Sequence, residues 1–256
     1  MALLYGDNFQ SYAAGTNPPY GSLVYFSGVT PIVIFADPAG LFGQSKSLFI
    51  PPNNFLALPD PIYDGTGAFY QQCSIYQYIK LNNTTDERGA IFTFSNAHGG
   101  TNEAISGIRI LSDGTLGIVG TFSSAFSPNS AVSDYSLLCN KWYLIRVDIS
   151  FGSNAGFVEV LSCKVYINGV VVVEVSNIVT GIVLAHFTHL YFNNILFCGS
   201  GNGLNLGGLW VYDTIQSDTF FPNPGTPFAR LNQGVIELIK KRAVRTGGNN
   251  TRIYEA

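Results

Sequence analysis

The sequence predicts an antiparallel β-sandwich, and three observations carry that reading. Short runs of β-branched and aromatic residues recur along the chain, punctuated by Gly, Asn, Asp and Pro. Within the runs, apolar positions alternate with period two rather than with a helical period. Between two such runs stands Asn168-Gly169, a pair suited to the type I′ turn, which needs positive φ at both central residues.

Taken in order, "GSLVYFSGV" (21–29) and "PIVIFAD" (31–37) are early strands. "SIYQYIKL" (74–81) alternates, with Ile75, Gln77 and Ile79 on one face. "GAIFTFS" (89–95) runs into the loop "HGGTNEA" (98–104). "SGIRILSDGTLGIVG" (106–120) reads as a hairpin turning at Asp113-Gly114. "KWYLIRVDISF" (141–151) is a strand with Trp142, Leu144 and Arg146 on one face and Tyr143, Ile145 and Val147 on the other. A second hairpin, "VEVLSCKVYINGVVVVEVSN" (158–177), turns at Asn168-Gly169, and "HLYFNNILFCG" (189–199) and "LGGLWVYDTI" (206–215) are late strands. "FFPNPGTPF" (220–228) is a Pro-rich exit. The spacing fits one sandwich over 1–221 and a separate segment over 222–256, with no internal repeat.

Only 11% of residues are charged, against about 25% in ordinary domains, while aromatics reach 14%. Two explanations stay open: a surface largely covered by partners, or a larger core than usual. No apolar stretch approaches the roughly 20 residues of a membrane span, so no membrane partner is expected. The opening "MALLYGDNFQSY" lacks the basic start and apolar run of a secretory signal. Cys73, Cys139, Cys163 and Cys198 are scattered without a CxxC pair, which predicts buried free thiols in a protein made in a reducing cytoplasm.

"NKWYLIRVDIS", "VEVLSCKVYINGVVVVEV" and "GGLWVYD" together resemble the laminin-G and concanavalin-A-like superfamily. The resemblance spans roughly residues 5–215 and implies an antiparallel jelly-roll β-sandwich with a C-terminal extension. The opening "LYGDNFQSYAAGTNPPYGSLVY" resembles the start of such domains in tailed-phage proteins, where an Asp/Phe/Tyr segment forms an outer strand paired with the last one. Arg230, Leu231, Asn232, Gln233, Val235, Ile236 and Glu237 resemble a pattern in C-terminal segments of the same phage proteins.

That superfamily includes glycosidases, which need two carboxylates held roughly 5 Å apart for retaining hydrolysis. The laminarinase-type E-x-D-x-(x)-E pattern is absent; Asp86 and Glu87 fall in a loop, and Glu159 and Glu174 stand alone in strands, where they are expected to face solvent. His186 and His189 would lie on opposite faces of a strand, with His98 distant. No G-x-S-x-G elbow occurs, and "GSGNGLNLGG" (199–208) precedes a strand, so it reads as a loop at a sandwich end rather than a phosphate cradle. Asp64, Asp113 and Asp134 are calcium candidates by resemblance, but turns explain them more simply. No enzymatic activity, metal or cofactor is therefore expected. A glycan site needs only a few aromatics and amides on loops, as in "SPNSAVSDY" (127–135) or "SGNGLN" (200–205).

The closing residues 230–256 hold six of the 13 cations and two of the 16 acids, so a basic tail follows an acidic body. Nucleic acid is a poor partner for a chain at net −3. Residues 231–245 fit either an amphipathic helix or a strand. The favoured expectation is an arm that docks on another subunit through Arg230, Val235, Ile236, Leu238, Lys240, Lys241, Arg242, Arg245, Arg252 and Tyr254. The leading functional expectation is a non-enzymatic accessory protein of a phage virion, on the head or tail. It would be assembled in the host cytoplasm, form a homo-oligomer and adhere to the major capsid or tail protein. The alternative is a carbohydrate-binding module that recognises a host-surface glycan.

Overall fold

In the computed structural model the chain is an all-β antiparallel jelly-roll sandwich, the fold class expected from the sequence. The structure describes residues 2–17, 24–26, 33–36, 45–51, 55–59, 70–82, 90–95, 104–110, 115–119, 131–154, 157–176, 189–194, 203–218, 220 and 222. Their strands are β1 (Leu3–Asp7), β2 (Val24–Phe26), β3 (Val33–Ala36), β4 (Lys46–Ile50), β5 (Phe55–Pro59), β6 (Gln72–Leu81), β7 (Ala90–Ser95) and β8 (Ala104–Ile110). The rest are β9 (Thr115–Val119), β10 (Ala131–Ser136), β11 (Trp142–Asn154), β12 (Phe157–Ile167), β13 (Val170–Ser176), β14 (His189–Asn194) and β15 (Leu204–Tyr212).

The larger sheet runs β13-β12-β11-β6-β15-β4-β3, and the smaller runs β10-β9-β8-β7-β14-β5-β2. One edge of β15 is shared: Leu204–Leu206 pair with β4, and Leu209–Tyr212 pair with β1. The opening strand thus pairs with the last described one, as the resemblance implied.

Alternation explains the core. Ile75 and Ile79 from β6, Tyr143, Ile145 and Val147 from β11, and Leu209 and Val211 from β15 point inward, where they meet Leu56, Ile108, Ile110 and Leu116 from the smaller sheet. Gln77 shares that inward face, fully buried, as its spacing required. The predicted hairpin is present: Asn168 and Gly169 have φ of 49° and 83° between β12 and β13. The Asn168 side chain also accepts the Leu144 N–H at 2.8 Å, which ties the turn to β11. The 106–120 hairpin appears as the antiparallel pair β8 and β9, although Asp113 and Gly114 lie outside the described residues.

One expectation needs correction. The loop expected over 199–208 ends earlier: Leu204 and Asn205 already belong to β15, which begins two residues before the late strand expected from Leu206. Glycine suggested a loop; Gly208 instead leaves room for the Trp210 indole, which lies where a Cβ would project.

The segment after β1 is fastened rather than loose. Asp7 accepts hydrogen bonds from Phe9 N–H at 2.7 Å and Tyr12 O–H at 2.6 Å. Phe9 takes a φ of 59° and is fully buried in the core. Lys46 Nζ donates to the carbonyls of Gln10 and Tyr12. The phenol of Tyr12 is pushed up to about 12, first by its hydrogen bond to Asp7, then by burial and the Asp7 charge.

Candidate functional site

The outward face of the larger sheet is laid out by strand register. One row is Tyr212, Ser74, Asp148, Lys164 and Glu174; the next is Trp210, Tyr76, Arg146 and Tyr166. Tyr78 and Leu144 follow, then Lys80 and Trp142. A sheet face turned away from the core is commonly polar. Here Tyr76, Tyr78, Leu144, Trp210 and Tyr212 form a second buried cluster, with Trp142 and Phe220 packed against it.

Arg146 sits at its centre. Its guanidinium carbon lies 4.5 Å from the Tyr166 ring centre and 5.6 Å from that of Tyr76. It donates to Asp148 through Nε at 2.9 Å and through a terminal nitrogen at 2.6 Å, a fork that fits one carboxylate. Its remaining donors reach the carbonyls of Gln216 and Ser217. Burial opposes the Arg146 charge, but the hydrogen bonds to Asp148 and its negative charge outweigh it, so the guanidinium pKa rises. Ser74 Oγ donates to Asp148 at 2.6 Å and accepts from Gln216 N–H at 3.0 Å. The chain leaving β15 is therefore stapled back across this face. Phe220 ends the crossing with ring centres 5.2 Å from Tyr212 and 5.9 Å from Tyr76. Burial pushes the phenols of Tyr76, Tyr78 and Tyr166 well up, while Arg146 pulls Tyr76 and Tyr166 the other way.

Beside the staple opens a small cleft of about 170 Å³, lined by Asp148, Ser162, Lys164, Tyr166, Glu174 and Ile215 among others. Lys164 and Glu174 pair at 3.1 Å, with Lys164 half-buried and Glu174 exposed. The mouth thus offers a cation, a carboxylate and a hydroxyl, while Tyr166, Val175 and Ile215 give apolar walls. Asp148 and Glu174 do not form a carboxylate pair: Lys164 stands between them in register, and Arg146 and Ser74 occupy Asp148.

Sequence reasoning missed Arg146, Asp148 and Ser74 as a unit. The signal was Arg146 and Asp148 two apart on an otherwise apolar strand, which puts both on one face. Glu174 faces solvent as expected, whereas the side chain of Glu159 lies outside the described residues. So do Asp64, Asp86, Glu87, Asp113, His98 and His186, the side chains of Asp134 and His189, and the whole arm from Arg230 to Tyr254. Asn205, offered as a glycan ligand, is buried: it accepts from Asn82 and donates to Ser47 at 2.7 Å, so it holds strands together instead. Cys73 and Cys163 are buried free thiols, and Cys139 is half-buried. Among the described residues no three His, Cys, Asp or Glu side chains gather as a metal site, and no helix is long and apolar enough to cross a membrane.

No protein-family model matches the chain, and no curated protein matches it. Among solved structures, it is similar to the binding domain of botulinum neurotoxin DC in complex with SialylT, at 12% identity and a TM-score of 0.49, covering 91% of this chain and 51% of that one. The same binding domain in complex with rat synaptotagmin II is 11% identical, with a TM-score of 0.47 over 83% of this chain and 46% of that one. Trypanosoma rangeli sialidase in complex with the inhibitor DANA is 9% identical, with a TM-score of 0.49 over 82% and 34%. The chain spans about half or less of the length of each.

Proposed function

We propose that this chain is a non-catalytic recognition module whose cleft at Ser162, Lys164, Tyr166 and Glu174 takes one saccharide ring of a surface glycan. The observation that carries the reading is the lining itself. A sugar ring presents apolar C–H faces and a rim of hydroxyls. The cleft supplies apolar walls together with an ammonium, a carboxylate and a hydroxyl in reach of one another. The reading is non-catalytic because Asp148 is committed to Arg146 and Ser74.

The test is a glycan array followed by calorimetry on the hit. Lys164→Ala combined with Glu174→Ala should abolish binding and leave melting nearly unchanged, because an exposed pair contributes only about 0–1 kcal/mol. An array without a reproducible ligand, or a ligand indifferent to both substitutions, removes the reading.

A second reading has its own observation. Edge strand β13 and its neighbour β12 expose Val171 and Leu161, each 44% accessible. An exposed apolar edge suits strand-to-strand adhesion, as in an accessory protein on the head or tail of a phage virion, formed in the host cytoplasm. Co-sedimentation with such particles, abolished by Val171→Lys, distinguishes it from glycan recognition.

A further inference from the structure

Given that the cleft is the glycan site, we propose that it selects a neutral saccharide, one whose hydroxyls donate, and turns away rings that carry a carboxylate. Asp148 and Glu174 lie on the cleft wall. Tyr166, on the same wall, donates its O–H at 3.2 Å to Asp218, whose side chain is 77% exposed. Among the described residues, these three carboxylates face two cations, Arg146 and Lys164.

Neither cation is open to an incoming anion. Arg146 is 3% exposed and stacked on the Tyr166 ring, with its donors on Asp148 and on the carbonyls of Gln216 and Ser217. Lys164 already pairs with Glu174 at 3.1 Å. Asp148, Lys164 and Glu174 stand side by side on β11, β12 and β13, where neighbouring strands are roughly 4.8 Å apart. A ligand carboxylate only accepts hydrogen bonds. To reach the Lys164 ammonium it must settle beside Glu174 and close to Asp148, and like charges at that separation repel. A sugar hydroxyl both donates and accepts. It can donate to Glu174 and accept from Lys164 without adding charge, and a hydrogen bond to a carboxylate is stronger than one between neutral groups. Ser162 adds a hydroxyl to the same wall.

An array carrying neutral oligosaccharides beside their uronate-bearing and sialylated counterparts reads the preference. Calorimetry on the tightest neutral hit and its carboxylated counterpart then measures it. The carboxylated ligand should bind about ten-fold more weakly, the order of effect of one close like-charge contact at a protein surface. Glu174→Gln keeps a side-chain acceptor and removes the charge. It should raise affinity for the carboxylated ligand several-fold, leave the neutral ligand within a factor of a few, and leave melting unchanged. A carboxylated ligand that binds as tightly as its neutral counterpart, and is lost with Lys164→Ala and Glu174→Ala, overturns the selectivity while keeping the cleft as the site. Discrimination unmoved by Glu174→Gln overturns it as well. An array without a ligand, or hits indifferent to the double substitution, removes the cleft reading and the selectivity with it.

Discussion

At the scale of single residues, the molecule departs from a plain sandwich where polar groups sit inside it. Gln77 is fully buried between Ile145 and Leu209, and neither its amide oxygen nor its amide nitrogen has a hydrogen-bond partner among the described residues. A buried unpaired polar group costs about 1–3 kcal/mol, so Gln77→Met, nearly equal in volume, should raise the melting temperature. A lowered melting temperature would mean that the amide has a partner in solution. Arg146 is the opposite case, since its buried charge is paired and forked onto Asp148. Arg146→Met alone leaves that carboxylate buried and should cost about 3–5 kcal/mol. Adding Asp148→Leu should recover much of the loss, and a denaturation series on both variants checks the sign.

At the scale of elements, turn chemistry and alternation were legible and long-range covering was not. Asn168-Gly169 announced its turn because few other pairs tolerate positive φ twice, and the structure places both residues there. Gly169→Val should therefore destabilise by about 1–3 kcal/mol through backbone strain, measurable by thermal melting. The two faces of β11 followed from period two. What that pattern could not reveal is that its outward face, with Trp142, Leu144 and Arg146, is also covered. Alternation tells which residues share a face; whether a later segment returns to cover that face depends on contacts far apart in sequence. Gln216 bonding Ser74 across 142 positions is such a contact. The cleft was illegible for the same reason, because Ile215 meets Lys164 and Glu174 only once the chain has turned back. Leu204 and Asn205 misled locally: the glycines beside them signal a loop, although a glycine such as Gly208 can serve a strand where a large neighbour needs its space.

At the scale of the whole molecule, the unusual composition finds a physical use. A chain with 11% charged and 14% aromatic residues can bury both faces of one sheet, and the larger sheet here is buried inward and across the Tyr76, Tyr78 and Trp210 cluster outward. This favours the larger-core explanation for at least part of the missing surface charge. It also ties stability to alkaline pH. Tyr12, Tyr76, Tyr78, Tyr166 and Tyr212 all have raised phenol pKa values, Tyr12 chiefly through Asp7 and the other four chiefly through burial. For an acid whose folded pKa lies above its unfolded value, stability is fully present below the unfolded value, near 10 for tyrosine. It is lost as pH rises through the folded value, which for Tyr12 is about 12. The contribution of these five phenols is therefore whole below about pH 10 and is lost progressively above it, because each ionises more readily in the unfolded chain. Phenolate absorbance from these five should rise late, in a steep stage above the ordinary tyrosine value. The steep stage should coincide with loss of the sheet signal in circular dichroism and a red shift of indole emission. If all tyrosines titrate smoothly near pH 10 with the sheet signal intact, the outward aromatic face is open to solvent rather than covered.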